Sequence, residues 1–150
     1  MSPPEVWGPP IWTFLHTLAE KIKEDQYQIL GTGLVFHIKR IVSHLPCPDC
    51  SRHASRFLNS LPPERLSSKT DLKNALYILH NSVNRRKNKA LQPLTFLDNY
   101  KQKNVVRTYE DFIKVYKTRG NMKLLTDSFQ RQLIVHNFKK WLLTNLHSFN

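Results

Sequence analysis

A chain of 150 residues buries roughly two-thirds of its unfolded surface in one core and has no room for a second full domain, while 40% hydrophobic residues and only four glycines exclude a disordered, collagen-like or low-complexity chain. The 23 Lys and Arg against 11 Asp and Glu leave a net charge of +12, which suits nucleic acid, an anionic membrane or an acidic protein without choosing among them. Two cysteines exclude a disulfide scaffold, no apolar run approaches the roughly 20 residues of a membrane span, and residues 1–7 have neither a signal-peptide core nor an Arg-rich transit pattern, so a soluble intracellular protein is expected.

Pro9-Pro10 followed by Ile11, Trp12, Leu15, Leu18, Ala19 and Ile22 on a 3.6-residue stripe predicts a first helix running from the proline pair to about Lys23, with Trp12 and His16 one turn apart. Gly31-Thr-Gly33 reads as a break, after which Leu34, Ile38, Ile41, Val42 and Leu45 predict a second helix ending at Pro46. Cys47-Pro-Asp-Cys50 follows at once. Pro48 suits a first-turn position, and Cys50, Ala54, Phe57, Leu58 and Leu61 continue at helical spacing, so the pair is expected at the N-terminus of a third helix stopped by Pro62-Pro63. Thr70-Asp71 is expected to cap a fourth helix through Leu72, Ala75, Leu76, Leu79, His80 and Val83 to the cations Arg85, Arg86, Lys87 and Lys89.

A short fifth helix is expected over Thr95 to Lys103, and another over Val105 to Thr118 with Tyr109, Phe112, Ile113 and Tyr116 on its apolar side. The last, from about Thr126 to Leu146, places Ile134, Phe138, Trp141 and Leu142 on one side and Arg131, Lys139 and Lys140 nearer the other. With no strand alternation or repeat, the fold class is all-α: a four-helix bundle with a short fifth helix and additional C-terminal helices. Of the 23 Lys and Arg residues, 14 lie at or beyond Arg85, so the basic bias belongs mainly to that half, where it is available to nucleic acid or a membrane.

A Cys-x-x-Cys pair serves as a redox disulfide, half of a zinc site, a haem attachment or two buried thiols. Haem attachment needs a histidine where Ser51 stands, and a zinc site would have to recruit histidines such as His53 and His80. At a helix N-terminus the partial positive charge stabilises a thiolate, the form that attacks disulfides. On the fourth helix, His80-Asn81-Ser82-Val83-Asn84 crowds planar hydrogen-bonding side chains beside an apolar one, as a ring-binding site requires. A solvated face would more often carry Lys and Glu.

Trp7-Gly8-x-x-x-Trp12-x-x-x-His16, Cys47-x-x-Cys50-x-x-His53 and His80-Asn81-x-Val83-Asn84-x-x-x-x-Lys89 occur in that order. Over about Trp7 to Lys101 this pattern resembles the Erv/ALR family of FAD-linked sulfhydryl oxidases. The resemblance implies a helical bundle with FAD at one end, a redox disulfide beside the flavin ring, and molecular oxygen as electron acceptor, with hydrogen peroxide as product. Residues 1–104 would form the FAD-binding domain and 105–150 a helical extension packed on it or on a dimer partner.

Carried over by position, Gly8, Trp12 and His16 would line the cofactor from the first helix, His53 from the third, and His80, Asn81, Val83 and Asn84 from the fourth. Lys89 would meet the pyrophosphate, and Tyr100 would close over the adenine side. Cys50 would be the cysteine nearer the flavin, and Cys47 would exchange with a thiol-containing protein substrate presenting an exposed cysteine pair. A homodimer is implied, and no metal. This chain carries Lys87 where family members commonly have a hydrophobic residue, and Ala90 where they commonly have proline. It also has no second, shuttle cysteine pair. That minimal form resembles the oxidases of large cytoplasmic DNA viruses and implies action in the host cytoplasm or virion. The rival reading from another class is a non-catalytic basic helical adaptor for nucleic acid or zinc.

Overall fold

A computed structural model describes residues 4–117 and 125–150. Its α-helices are α1 (Pro4–Lys21), α2 (Glu24–Ser43), α3 (Pro48–Ser60), α4 (Lys69–Arg86), α5 (Val105–Tyr116) and α6 (Leu125–Thr144), with 3-10 turns at Pro63–Leu66, Leu94–Tyr100 and Leu146–Ser148. Among the described residues there is no strand beyond an isolated bridge between Ile22 and Phe149, and no helix is long and apolar enough to cross a membrane. The fold is all-α.

α1 is the central element, packed against α4 and α5, while α2 packs against α3 and α6. The inward α1 residues Phe14, Leu15 and Leu18, and Ile22 just beyond the helix end, are fully buried with Leu34, Ile38 and Ile41 of α2, Leu76 and Leu79 of α4, Phe112 of α5 and Phe138 of α6. The Phe14 ring stacks on Phe112 with centroids 4.7 Å apart, and the Tyr116 hydroxyl donates to the Ile41 carbonyl at 2.8 Å. The last residues are tied to the α1–α2 junction, where Lys23 N–H donates to the Ser148 carbonyl and Asn150 N–H to the Lys21 carbonyl.

Several sequence expectations need correction. The first helix starts at Pro4 and carries Pro9 and Pro10 inside it, although each proline removes an N–H and crowds the preceding turn. Burial of Trp7, on the turn before Ile11, offsets this cost. The helix ends at Lys21 rather than Lys23. Gly31 and Gly33 do not break α2; they lie within it because aromatic rings pack against them. A methyl group at Gly31 would sit 2.7 Å from Cε1 of Tyr27, whose hydroxyl is anchored on the Leu66 carbonyl, and one at Gly33 would sit 3.2 Å from Nε1 of Trp141.

The cap of α4 is Ser68, not Thr70-Asp71. Its Oγ accepts the Asp71 N–H, and Asp71 Oδ2 accepts the Ser68 N–H, a reciprocal capping box. The expected fifth helix is a 3-10 segment, and the last α-helix stops at Thr144 before the 3-10 turn at Leu146–Ser148. Thr118 lies outside the described residues. Arg131, expected toward the polar side, is 1% exposed, and its Nε donates to the Tyr116 carbonyl at 3.0 Å, satisfying the end of α5.

Candidate active site

Cys47 is the N-cap of α3 and Pro48 follows at its first turn. The Cys47 sulfur accepts the Cys50 backbone N–H at 3.3 Å, an otherwise unpaired donor of the helix start. A disulfide joins the two cysteines, with Cα atoms 5.2 Å apart. Buried Ser51 fixes the turn by accepting the Leu45 N–H on its Oγ at 2.7 Å. The helix start thus directs its positive end at the Cys47 sulfur, where it favours a thiolate.

Across the bundle, Trp12 and His16 face His80 of α4. The Trp12 and His80 rings stack with centroids 4.1 Å apart and planes within 5°. His16 stacks on Tyr100 at 4.7 Å, and its Nε2 lies 3.0 Å from Nδ1 of His80. Phe96 meets His80 and Tyr100 edge-on. Burial, and then the neighbouring His80, pull the His16 pKa down to about 3; burial, and then Lys89, pull that of His80 down to about 4. Both rings are therefore neutral at pH 7, and one donates its N–H to the other.

This pair predicts the acid limb of stability. The unfolded chain protonates both histidines near pH 6.5, while the folded chain does so only near pH 3 to 4, so in that window the unfolded state binds more protons and stability falls as pH falls. Melting temperatures from pH 7 to pH 4 should drop steadily, and His16→Gln should flatten the slope. An unchanged slope would mean that the His16 ring is protonated in the fold.

At the end of α4, Asn84 is buried, and its carbonyl accepts the Lys87 and Lys89 N–H groups at 3.2 and 2.8 Å. Asn88 N–H donates to Arg85, and Asn88 has φ of 57°, a left-handed helix stop that asparagine tolerates. Asn81 fastens the segment that follows. Its Nδ2 donates to the Gln92 carbonyl and its Oδ1 accepts the Gln92 N–H, both at 2.9 Å. Its amide thus holds the chain after α4 in place, and Asn81 is not among the residues that wall the cleft described below. His53 Nδ1 accepts from Arg86 at 3.0 Å, and its Nε2 lies 3.1 Å from Ser82 Oγ, so the proton belongs on Nε2. Burial, and then Arg86, lower its pKa. Arg86 also pairs with Asp49 at 3.0 Å, joining α4 to the Cys-Pro-Asp-Cys turn.

Three adjoining hollows connect these groups. An inner cavity of about 50 Å³ is walled by Trp7, Gly8, Ile11, Trp12, Leu15, Val42, Leu45, Cys50, Ala54, Leu79, Val83 and Lys87. A second of about 210 Å³ shares Gly8, Trp12, Val83 and Lys87 with it and adds Pro9, Thr13, His80, Asn84, Lys89, Phe96 and Tyr100. A third of about 180 Å³ is walled by Asp49, Cys50, His53, Val83, Arg86 and Lys87. Cys50 walls two of the three, and Cys47 none of them. A larger groove of about 510 Å³ between α2 and the end of α3 contains no cysteine or histidine. Among the described residues no group of three or more His, Cys, Asp or Glu side chains is arranged to hold a metal ion.

The cleft fits a flat aromatic ligand with a phosphate-bearing tail. A side-chain methyl at buried Gly8 would meet no atom within 4 Å. Trp7 Nε1 and His16 Nδ1 are buried polar atoms without a hydrogen-bond partner among the described residues, and Lys87 and Lys89 stand at the second cavity, where cations suit phosphates. The structure thus brings Gly8, Trp12, His53, His80, Val83, Asn84, Lys89 and Tyr100 to the walls of these adjoining cavities with Cys50, and buried His16 stands behind them against His80 and Tyr100. Trp7, Thr13, Phe96 and Lys87 were missed as wall residues. Extending the helical spacing before the proline pair would have found Trp7, and Phe96 stands one helical turn before Tyr100.

A helical bundle that sets a Cys-x-x-Cys disulfide against an aromatic and histidine-walled cleft defines a thiol–disulfide exchange protein with a built ligand site. The Erv1 / Alr family profile matches residues 9–110, and the chain belongs to that family. Similar proteins include the FAD-linked sulfhydryl oxidase of African swine fever virus (isolate Pig/Kenya/KEN-50/1950), 27% identical over 121 residues, which are 75% of this chain and 97% of that protein. The 347L protein of Invertebrate iridescent virus 6 is 29% identical over 96 residues, covering 60% of this chain and 86% of its own length. No solved structure gives a significant match.

Proposed function

We propose that the chain is an FAD-linked sulfhydryl oxidase that forms disulfides in protein substrates and delivers the electrons to molecular oxygen, producing hydrogen peroxide. The observation that carries this reading is that Cys50, and not Cys47, walls the aromatic cleft. One cysteine of the pair thus faces the ligand site and leaves the other for exchange with an incoming thiol.

In this reading a substrate thiolate attacks the Cys47 sulfur, the Cys47–Cys50 bond breaks, and Cys50 leaves as a thiolate facing the cleft. A second substrate thiolate then attacks the substrate sulfur of the mixed disulfide, releasing Cys47 as a thiolate stabilised by the Cys50 N–H. The substrate pair is oxidised by two electrons and the Cys47–Cys50 pair reduced by two. FAD, when bound, supplies the acceptor that takes this electron pair from the cysteines and passes it to oxygen. Gly8, Trp12, His80, Val83 and Asn84 would hold its ring system, Tyr100 and Phe96 would close the adenine side, and Lys89 would meet the pyrophosphate. Asn81 would act through the Gln92 segment it fixes.

Residues 1–104 would carry the site, and 105–150 would brace it through Phe112, Tyr116 and Phe138. Homodimerisation is supported by the exposed apolar side chains Ile29 and Phe36 on α2 and Phe129 and Leu133 on α6. The viral relatives support action in a host cytoplasm or a virion.

Dithiothreitol tests the reaction without a protein partner. The purified chain should consume oxygen in step with dithiothreitol oxidation and release hydrogen peroxide. Dithiothreitol oxidation by an artificial electron acceptor with no oxygen uptake would move the terminal acceptor elsewhere.

A further inference from the structure

We propose that Lys87 is the positioning cation that holds Cys50 as its anion once the disulfide opens. The inference rests on the thiol-exchange reading above. The Cys50 N–H is directed at the Cys47 sulfur, and among the described residues no hydrogen bond reaches the Cys50 sulfur. Every other wall of the inner cavity, from α1 and α2 as well as α3 and α4, is apolar or aromatic, so Lys87 is the one charged side chain that shares this cavity with Cys50, as it also shares the outer one.

In the adjoining outer cavity the remaining charged or titratable groups are Asp49 and His53 from α3 and Arg86 from α4. Arg86 is engaged by both Asp49 and His53, and burial together with Arg86 disfavours charge on His53. Among the described residues the Lys87 ammonium forms no ion pair or hydrogen bond; burial, and then Lys89, lower its pKa, while Glu5 favours its charge. It is held there by the left-handed stop at Asn88, which ends α4 with the Lys87 N–H bonded to Val83 and Asn84. An unpaired cation beside a sulfur with apolar walls favours the thiolate over the thiol.

The test uses the full chain carrying Cys47→Ser, in which Cys50 is the only thiol, and reads the pH dependence of its alkylation by iodoacetamide. Adding Lys87→Met should raise the alkylation midpoint by about half a unit to one unit, leaving roughly three- to tenfold less thiolate below both midpoints, and Lys87→Arg should restore the original midpoint. An unmoved midpoint in Lys87→Met would overturn the proposal, as would an equal shift in Lys87→Met and Lys87→Arg, which would mark a packing effect. The readout follows the thiol and not the flavin, so a chain that bound no FAD would overturn the proposed oxidase yet still report on Lys87. Lys87 is exposed at a helix end, and an unchanged circular dichroism spectrum and melting temperature would confirm that the substitutions leave the fold intact.

Discussion

Replacing either cysteine by serine is expected to reduce thiol oxidation to the uncatalysed background, because each sulfur has a separate step that the other cannot perform. In the proposed reaction Cys47, at the helix start and outside the cleft walls, would be the sulfur a substrate thiol attacks, and Cys50, which walls the inner cavity, would pass electrons inward. The two variants should also differ in colour. Cys47→Ser leaves a thiolate facing the cleft and should show a long-wavelength charge-transfer band with bound flavin, fading as pH drops below the thiol pKa. The same band in Cys50→Ser instead would reverse the order of the two cysteines, and oxidase activity surviving in both variants would remove the disulfide from the reaction.

His80→Ala and Asn84→Ala are expected to weaken flavin retention by about ten- to hundredfold each, the scale of losing one buried hydrogen-bonding or stacking group. His80 does two things at once: its ring stacks on Trp12, and its Nδ1 pairs with buried His16. Removing it leaves His16 Nε2 unpaired in a site where His16 Nδ1 already has no partner among the described residues. The His80 variant should therefore also melt at a lower temperature, whereas Asn84→Ala should act mainly on retention. Equilibrium dialysis against FAD measures both, and unchanged occupancy in the two variants would place the flavin in another part of the chain.

Helical spacing on the motif-bearing helices was more legible in the sequence than the element boundaries were. The motifs on α1, α3 and α4 place their side chains by helical spacing, so Trp12, His16, His53, His80, Val83 and Asn84 converge once those helices pack. The Asn81 contact was not legible because its partner, Gln92, lies in an irregular segment whose path no periodicity encodes. Proline and glycine misled the boundaries for a related reason. Pro9 and Pro10 are poor helix residues, and Gly31 and Gly33 read locally as a break, yet burial of Trp7 and the rings of Tyr27 and Trp141 decide those positions. Arg131 followed the same rule in reverse, a charged side chain drawn into the core by the carbonyl end of α5.

The visible absorption spectrum of the purified chain tests the central claim most directly. An FAD-linked oxidase should be yellow, with flavin in a one-to-one ratio to protein and released into the supernatant on denaturation, since Cys47 and Cys50 are joined to each other and no further cysteine exists to tether it. A correctly folded chain that is colourless and takes up no added FAD would contradict the assignment and return the basic helical adaptor as the better reading.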